Sequence, residues 1–336
     1  MIKSSGIVAT AASAVFAVSG LHTAQAEEIV AVANVLGSPT LIRFDSATPT
    51  LVSVIGAISN LDGEDVLGID FRPANGDLYA ITSGDRLLRV DRHTAIATTI
   101  AIDTLNTPLA GETFGFDFNP QIDRIRSVSD ADQNLVLNPV TAAIQLVATP
   151  VAYLAGDIHA GTNPHVVHHA YDNNNVGVTA TQLRAIDSEL DILVKQANNA
   201  GTLTTVGELG VDFAEVGGFD VSGATGNAYA ISTESLLGVL GTSLVYSINL
   251  ETGAATLIGD VGLPLVNLLS VEAMTIVPEP ACEGDLDLNG SVDASDLAIL
   301  LGAWGTDADR PDIDNDGDTG ASDLAILLGA WGRCAG

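Results

Sequence analysis

The sequence predicts a mainly β protein, in which a β-propeller-like domain of about five blades precedes a small module with two short helices. Three observations support this class. Short apolar runs rich in Val, Ile and Thr alternate with turn residues as far as residue 277. A Gly-x-Asp motif recurs along these runs at Gly68, Gly115 and Gly218. A unit beginning at Asp285 is repeated 27 residues later at Asp312, and both copies contain the sequence ASDLAILLGAWG.

Residues 1–26 have the composition of a secretory signal peptide. Lys3 gives a positive start, the run 6–20 is apolar, and Ala-Gln-Ala at 24–26 fits a cleavage site before Glu27. The apolar run is shorter than the ~20 residues that a membrane-spanning helix needs, so an anchor is the weaker alternative. We therefore expect a secreted or cell-envelope protein with no transmembrane segment after cleavage.

The charge balance is strongly acidic, with 42 acidic and 12 basic residues and a formal net charge of −30. Nucleic-acid phosphates would be repelled by such a chain, which argues against nucleic acid as a partner. The balance suits an exported, soluble surface and cation binding. For the large domain, solubility alone is an equally good explanation.

The domain at 27–277 is predicted to consist of four-stranded units of about 40 to 50 residues, each starting at a Gly-x-Asp motif. A more divergent copy runs from His165 to Val206. Residues 28–59 supply only the last three strands of a unit, and Val271–Val277 can supply the missing inner strand. Stacked units that close into a ring leave no exposed edge, which favours five blades. A two-sheet sandwich and a six-bladed ring stay open as alternatives.

These repeats carry a family resemblance. The sequences GIDFRP at 68–73 and GFDFNP at 115–120, with the stretch from His168 to Asn173, resemble the DUF4394 family. The resemblance covers roughly residues 28 to 277. The family has no established activity, so the resemblance implies none for this domain.

The repeated aspartates Asp70, Asp117 and Asp220 alternate with apolar neighbours on predicted strands, and so face away from them. One interpretation is a ring of carboxylates that binds cations near a central channel. The other is a structural device in which each carboxylate caps a turn or bonds backbone amides between blades. We favour the structural interpretation, because a structural device should recur from blade to blade.

Four histidines lie within eleven residues, at His159, His165, His168 and His169. A metal site would need three or four of them at one point. On a regular strand His165 and His169 would share a face while His168 points the other way. We therefore favour satisfied polar side chains over a metal or catalytic site. Established catalytic motifs such as G-x-S-x-G and H-E-x-x-H are absent from the sequence.

Val277-Pro278-Glu279-Pro280-Ala281 marks the boundary, with residues 278–281 as linker and 282–336 as the C-terminal module. The only two cysteines, Cys282 and Cys334, bracket the duplicated unit. In an exported protein this arrangement predicts a disulfide that clasps the module. Two free thiols are the alternative.

Both copies of the duplicated unit have the spacing of a calcium loop, with oxygen-bearing residues at alternating positions and glycine, Gly290 or Gly317, at position 6. Ser291 and Asp318 would contribute their backbone carbonyls, and a water would serve position 9 of loop two at Gly320. The predicted ligands of two Ca²⁺ ions are Asp285, Asp287, Asn289, Ser291, Asp293 and Asp296 in loop one, and Asp312, Asp314, Asp316, Asp318 and Asp323 in loop two.

A short amphipathic helix is predicted after each loop. Its apolar residues are Leu297, Leu300, Leu301 and Trp304 in the first copy, and Leu324, Leu327, Leu328 and Trp331 in the second. The two stripes can pack against each other as a two-fold pair, or leave part of their surface for a partner.

Over about 50 residues this module strongly resembles a type I dockerin, which has Asp at position 12 of each loop. The resemblance implies calcium-dependent folding and docking of residues 282–334 onto a cohesin-like or cell-surface protein. It also implies partner contacts at Ala294-Ser295 and Ala321-Ser322. Where the family often has a basic pair, this chain has Leu301-Gly302 and Leu328-Gly329, which departs from the usual cohesin-binding pattern.

Together these features favour a secreted, non-enzymatic attachment protein. The alternative is a secreted hydrolase that acts on polysaccharide and is carried to a complex by its dockerin. A third possibility is a structural protein of the cell envelope. Two carboxylates about 5 to 10 Å apart in one deep pocket would favour the hydrolase.

Overall fold

The computed structural model describes residues 26–100, 105–236, 240–262, 269–278, 282–287, 291–306, 311–314 and 317–334. The predicted signal peptide up to residue 25 lies outside these ranges, as do Asn289, Gly290 and Asp316 of the predicted calcium loops.

The propeller begins with three strands, β1 (Glu28–Val35), β2 (Ser38–Asp45) and β3 (Ser53–Ala57). Two four-stranded units follow. The first contains β4 (Val66–Phe71), β5 (Leu78–Thr82), β6 (Leu87–Val90) and β7 (Ala97–Thr99). The second contains β8 (Phe114–Asn119), β9 (Arg124–Ser129), β10 (Asn134–Leu137) and β11 (Ile144–Val147).

Two further units and one single strand complete the propeller. The third unit contains β12 (Ala152–Tyr153), β13 (Val166–Tyr171), β14 (Leu183–Asp187), β15 (Ile192–Gln196) and β16 (Thr202–Glu208). The fourth contains β17 (Val216–Val221), β18 (Ala228–Leu236), β19 (Leu240–Ile248) and β20 (Ala255–Val261). The lone strand is β21 (Ser270–Ile276).

These strands form five sheets, the blades of a propeller. Blade 1 has the order β21-β1-β2-β3, so its inner strand comes from the far end of the domain. Blades 2, 3 and 5 are the antiparallel meanders β4–β7, β8–β11 and β17–β20. Blade 4 contains β13–β16, with β12 added in parallel to its outer edge. The predicted five blades and the predicted closing strand are therefore confirmed.

The inner strands β4, β8, β13, β17 and β21 contact one another in that order, and β21 contacts β4 to close the ring. Five apolar clusters lie between the blades, and each contains residues of two neighbouring blades. A blade thus buries both of its faces only by stacking, which is why a short repeat of alternating apolar residues is stable in a ring.

The C-terminal module contains β22 (Ser291–Val292), α1 (Ala294–Gly302), α2 (Ala321–Gly329) and β23 (Gly332–Arg333). A disulfide joins Cys282 to Cys334, with the two Cα atoms 5.4 Å apart, as predicted. The helices contact each other, and the module has an apolar cluster of its own. Its buried members are Leu286, Val292, Leu300 and Leu327.

The predicted apolar stripes pack only in part. Leu300 and Leu327 are fully buried, but Leu301 and Leu328 are 53% and 51% exposed. Each helix ends at a glycine, Gly302 or Gly329, so the tryptophan two residues later no longer follows the helical stripe. Trp304 and Trp331 are consequently about half exposed. Within the described residues, no helix has the length and apolar character needed to cross a membrane.

Candidate metal centres

Three buried aspartates meet at the propeller axis. Asp70, Asp117 and Asp220 lie on the inner strands β4, β8 and β17, and each offers a carboxylate oxygen within 4.8 Å of the others. All three are at most 2% exposed. We call them the axial carboxylate cluster. A ring of carboxylates near a central channel was one interpretation of these residues from the sequence, and a structural role was the favoured one.

Each carboxylate of this cluster accepts a hydrogen bond from the backbone of the next blade. The N–H of Phe118 donates to Asp70 Oδ2 at 2.7 Å, and the N–H of Tyr171 donates to Asp117 Oδ1 at 3.1 Å. In the same way, the N–H of Ile276 donates to Asp220 Oδ2 at 2.7 Å. The favoured prediction, that these aspartates bond backbone amides between blades, is therefore confirmed.

The same hydrogen-bond register places Ala170 and Thr275 at the equivalent position on the other two inner strands. Thr275 was missed by the sequence analysis, because VEAMTIV lacks the Gly-x-Asp pattern. Its Oγ1 lies 2.9 Å from Asp70 Oδ1 and 3.0 Å from Asp220 Oδ2. A hydroxyl has one proton to donate, so both contacts are satisfied only when one of these carboxyls is itself protonated.

The electrostatics of the cluster favour protonated carboxyls. Burial raises the pKa of Asp220 to about 6. For Asp70, burial and then the charge of Asp220 raise the pKa well above its usual range. For Asp117, burial and then the charge of Asp70 have the same effect. Without a cation, the cluster therefore keeps protons that an exposed aspartate would lose.

The glycine of the repeated motif is explained by packing at the same axis. A Cβ atom on Gly68 would lie 2.6 Å from Phe116 Cβ, and one on Gly115 would lie 2.7 Å from His169 Cγ. One on Gly218 would lie 2.5 Å from Met274 Cγ. In each Gly-x-Asp motif the glycine therefore makes room for the next blade, and the aspartate bonds to it.

Inner-strand residues of all five blades line a small axial cavity of about 20 Å³. Its lining includes His168 and His169 together with the glycines Gly68, Gly115 and Gly218. That volume is close to the minimum needed for a single water molecule. A sugar ring does not fit inside this cavity.

The four histidines do not converge on a metal. His169 Nε2 lies 3.1 Å from the Arg126 carbonyl, His168 packs edge-on against Phe213, and His165 Nε2 lies 3.1 Å from Glu215. Burial lowers the pKa of both His168 and His169 to about 3, so both are neutral. A β-bulge between Val166 and His168 shifts the register, which removes the regular alternation that we assumed for this strand.

Loop one of the C-terminal module brings together carboxylates from its beginning and its end. Asp285, Asp287 and Asp296 each offer an oxygen within 4.8 Å of the others, and Asp285 and Asp296 are buried. Asp296 Oδ1 accepts the N–H groups of Leu286 at 2.6 Å and Asp287 at 3.0 Å. Its Oδ2 accepts the N–H of Asp293 at 2.8 Å. These bonds fix the carboxylate of position 12 beneath the loop.

Loop two has the same arrangement. Asp312, Asp314 and Asp323 each offer an oxygen within 4.8 Å of the others. Asp323 Oδ1 accepts the N–H groups of Ile313 at 2.6 Å and Asp314 at 3.2 Å, and its Oδ2 accepts that of Gly320 at 2.7 Å. Gly317 has a φ of 92°, a conformation that favours glycine, as expected for the sharp turn at position 6.

Six of the residues that the sequence predicts as ligands therefore form two equivalent carboxylate groups. Asn289 and Asp316 lie outside the described residues. Asp293 Oδ1 accepts the N–H of Ser295 at 2.8 Å and so caps α1, a role that leaves lone pairs for a cation. Ser291 lies on β22, and Asp318 follows the Gly317 turn.

Comparison with known proteins covers mainly the propeller. The model of a family described as "Domain of unknown function (DUF4394)" matches residues 40–269. No curated protein matches the chain.

Several solved structures are similar in part. A structural-genomics protein of unknown function from Bacteroides thetaiotaomicron matches at a TM-score of 0.45 and 12% identity, over 61% of this chain and 53% of that one. An auxiliary nutrient binding protein from the same organism matches at 0.38 and 12%, over 60% and 55%. Glutaminyl cyclase from Myxococcus xanthus matches at 0.39 and 12%, over 71% and 83%. The chain spans about half the length of the two Bacteroides proteins.

Proposed function

Because the chain belongs to the DUF4394 family, whose function is unknown, we propose a function from its C-terminal module: this module binds two Ca²⁺ ions and attaches a secreted propeller to a partner. The partner is a cohesin-like or cell-surface protein that contacts residues 282–334. The observation that carries the proposal is the pair of equivalent carboxylate groups, at Asp285 and at Asp312, spaced 27 residues apart.

The chemistry of the two groups suits calcium. Their donors are carboxylate oxygens, and calcium takes six to eight hard oxygen ligands in flexible loops. Three carboxylates held within 4.8 Å of one another, two of them buried, repel one another unless a cation or protons compensate them. Magnesium keeps several waters and fits such an all-protein cage less well. A bound Ca²⁺ would supply positive charge that fixes the loop against its helix.

An attachment role is supported by the surface of the module. Leu301 and Trp304 after loop one, and Leu328 and Trp331 after loop two, are 46–53% exposed. Surface apolar groups of this kind, repeated in both copies, are typical of a protein-binding face. Leu301 and Leu328 stand where the dockerin family often has a basic residue, so the proposed partner presents an apolar counterpart there.

The hydrolase alternative receives less support. At the axis, the cavity of about 20 Å³ is too small for a sugar. A larger groove on blade 2, of about 510 Å³, contains the carboxylates of Asp77 and Asp91. However, Asp91 Oδ1 accepts the N–H groups of His93 and Thr94, and its pKa is lowered by these hydrogen bonds despite partial burial. A general acid needs a raised pKa instead.

Calcium binding can be tested with the intrinsic fluorescence of the full chain. The chain has two tryptophans, Trp304 and Trp331, and both belong to the module, so their emission reports on the module alone. We expect titration with Ca²⁺ to change the emission, a chelator to reverse the change, and calorimetry to give two ions per chain.

Substitutions assign the ions to the loops. We expect Asp296→Asn to weaken one site at least about tenfold, or about 1.4 kcal/mol, and Asp296→Asn with Asp323→Asn to weaken both sites by that amount. Asp318→Asn is the matched control, because it removes the same charge but keeps the carbonyl that is predicted to bind. Unchanged emission and no binding heat at millimolar Ca²⁺ would disprove the proposal.

Attachment is tested separately, by retention of cell-envelope proteins on the immobilised full chain in calcium and then in chelator. We expect calcium-dependent retention that is lost in a Leu301→Asp, Leu328→Asp variant that still binds two ions. Retention that persists in chelator would contradict a calcium-dependent docking module.

A further inference from the structure

The disulfide of the C-terminal module breaks the symmetry of its repeat. Because the two copies lie 27 residues apart, each feature of one copy can be compared with its equivalent in the other. The residues equivalent to Cys282 and Cys334 are Asp309 and Asp307, and the chain has no third cysteine. The disulfide therefore belongs to one copy alone, and we ask what it does for loop one that loop two obtains in another way.

Each loop pairs with the segment that follows the helix of the other copy. In loop one, β22 pairs with β23 after α2, and Val292 lies opposite Gly332. In loop two, the carbonyl of Thr319 accepts the N–H of Gly305, which follows α1, at 2.9 Å. Val292 and Thr319 are fully buried. The two pairings are equivalent under the repeat, so each loop depends on the segment with which it pairs.

The two pairing segments are linked to their loops by different covalent routes. Gly305-Thr306 continues along the chain into loop two, which begins six residues later at Asp312. β23 is followed at once by Cys334, and the disulfide joins that residue to Cys282, just before loop one. In loop one the disulfide thus takes the place that chain continuity has in loop two.

The disulfide also contacts the first predicted ligand of loop one. The Cys282 carbonyl accepts the N–H of Asp285 at 3.0 Å, and Cys334 Sγ lies 3.8 Å from Asp285 Oδ2. The second is a packing contact, because a disulfide sulfur has no proton to donate. Between them, Gly284 has a φ of 94°, and a Cβ there would lie 3.2 Å from Leu327 Cα. The segment is thus held between the disulfide and α2, with Asp285 buried beneath it.

We propose that the Cys282–Cys334 disulfide sets the calcium affinity of loop one and leaves that of loop two unchanged, so that the module takes up both ions firmly only after oxidation. This inference rests on the proposed calcium binding. Without the disulfide, β23 has no covalent link to the start of loop one, and Asp285 has to be ordered when the ion binds. Ordering one such residue lowers an affinity by about tenfold.

The coupling is reciprocal. When the disulfide is reduced, two glutathione thiols supply two electrons and two protons, which gives two cysteine thiols and one glutathione disulfide. Since the disulfide strengthens calcium binding at loop one, bound calcium must favour the disulfide over the two thiols by the same factor.

The first test is calorimetry of the full chain with Ca²⁺ alone. It compares the oxidised wild type with the variant Cys282→Ser, Cys334→Ser, and we expect one of two affinities to fall at least about tenfold. The Asp323→Asn background leaves loop one as the tighter site, and there we expect the same fall. The Asp296→Asn background is the matched control. It leaves loop two as the tighter site, whose affinity should not depend on the cysteines.

The second test measures the disulfide itself in a glutathione redox buffer, by alkylation of free thiols and mass spectrometry. We expect Ca²⁺ to shift the equilibrium of the wild-type chain and of Asp323→Asn toward the disulfide by about tenfold. The shift should be much smaller in Asp296→Asn, in which loop one is weakened.

Equal losses of affinity at both loops in the double cysteine variant would overturn this inference, because the disulfide would then stabilise the whole module without preference. An unchanged affinity at loop one, or a glutathione equilibrium that Ca²⁺ does not shift, would also overturn it and leave the proposed function intact. No calcium binding by the oxidised wild type would overturn both.

Discussion

Asp117→Asn should stabilise the propeller at neutral pH, although it removes a buried residue of the repeated motif. The asparagine oxygen can still accept the Tyr171 N–H, which Asp117 Oδ1 accepts at 3.1 Å. Its amide can donate toward Asp70 and Asp220, whose carboxylates lie in the same cluster. The substitution therefore keeps the bond between blades 3 and 4 and removes a buried charge.

The neighbouring carboxyl Asp220 gives the scale of the effect, since burial raises the pKa of Asp117 in the same direction. A carboxyl whose pKa is raised in the folded state stabilises the fold fully below its unfolded pKa, and this contribution is lost as the pH rises through the folded pKa. For Asp220 these limits are 3.8 and about 6. At about 1.4 kcal/mol per pH unit, Asp220 alone should cost about 3 kcal/mol between pH 4 and pH 8. For a domain of this size that is a fall of roughly 6 to 12 °C in Tm.

The assay is thermal unfolding of the full chain by circular dichroism from pH 4 to pH 8, in chelator. We expect Asp117→Asn to raise Tm at pH 8, to leave it nearly unchanged at pH 4, and so to flatten the pH profile. Asp62→Asn is the matched control, because the Asp62 side chain is 80% exposed and should change the profile little. A lower Tm for Asp117→Asn at pH 8, with a wild-type profile that rises with pH, would show that the cluster is stabilised as carboxylates. The proton-sharing argument would then be wrong.

Two further predictions concern packing and the disulfide. Gly115→Ala should destabilise the propeller by about 1–3 kcal/mol or more, because its Cβ would lie 2.8 Å from the His169 backbone nitrogen. Gly56→Ala is the control. Its Cβ would lie 3.7 Å from Ala95 Cβ, so this variant should be nearly neutral. Equal losses of Tm for both variants would contradict the packing explanation of the motif. Reducing the Cys282–Cys334 disulfide should destabilise the module by roughly 4 kcal/mol. Tryptophan emission during urea unfolding measures this loss. The propeller transition, followed by circular dichroism, should be unchanged. Coincident loss of both transitions would show that the module does not unfold separately.

Much of the propeller was predictable because its repeats are local. Gly68-x-Asp70 and its copies marked the inner strands, and the short N-terminal unit implied a closing strand near residue 271. A ring of Asp70, Asp117 and Asp220 near the axis was one of two interpretations of the motif, but their approach to within 4.8 Å depends on the small radius of a five-bladed ring. Thr275 and Ala170 occupy the same position with different chemistry, so the motif search passed over them.

The two carboxylate groups of the C-terminal module were predictable for a different reason: the members of each group lie within twelve consecutive residues, so their spacing along the chain brings them together. Exposure of Trp304 was not, because the apolar periodicity continues beyond the point where α1 ends. The blade 2 groove was missed as well. Its lining comes from two turns and the strands between them, which only the fold brings together.

The closing of the ring by β21 also has a kinetic consequence. Ile29 is among the first propeller residues to be synthesised, yet its partner in the inner strand is Ile276, nearly the last. Until then β1 has an open edge toward the axis, and an unpaired edge can pair with other chains. Closure over such a sequence distance is slow compared with the formation of each local meander. A chain that stops short of β21 should thus form blades 2 to 5 but stay prone to aggregation, so the ring closes only when the whole domain has been synthesised.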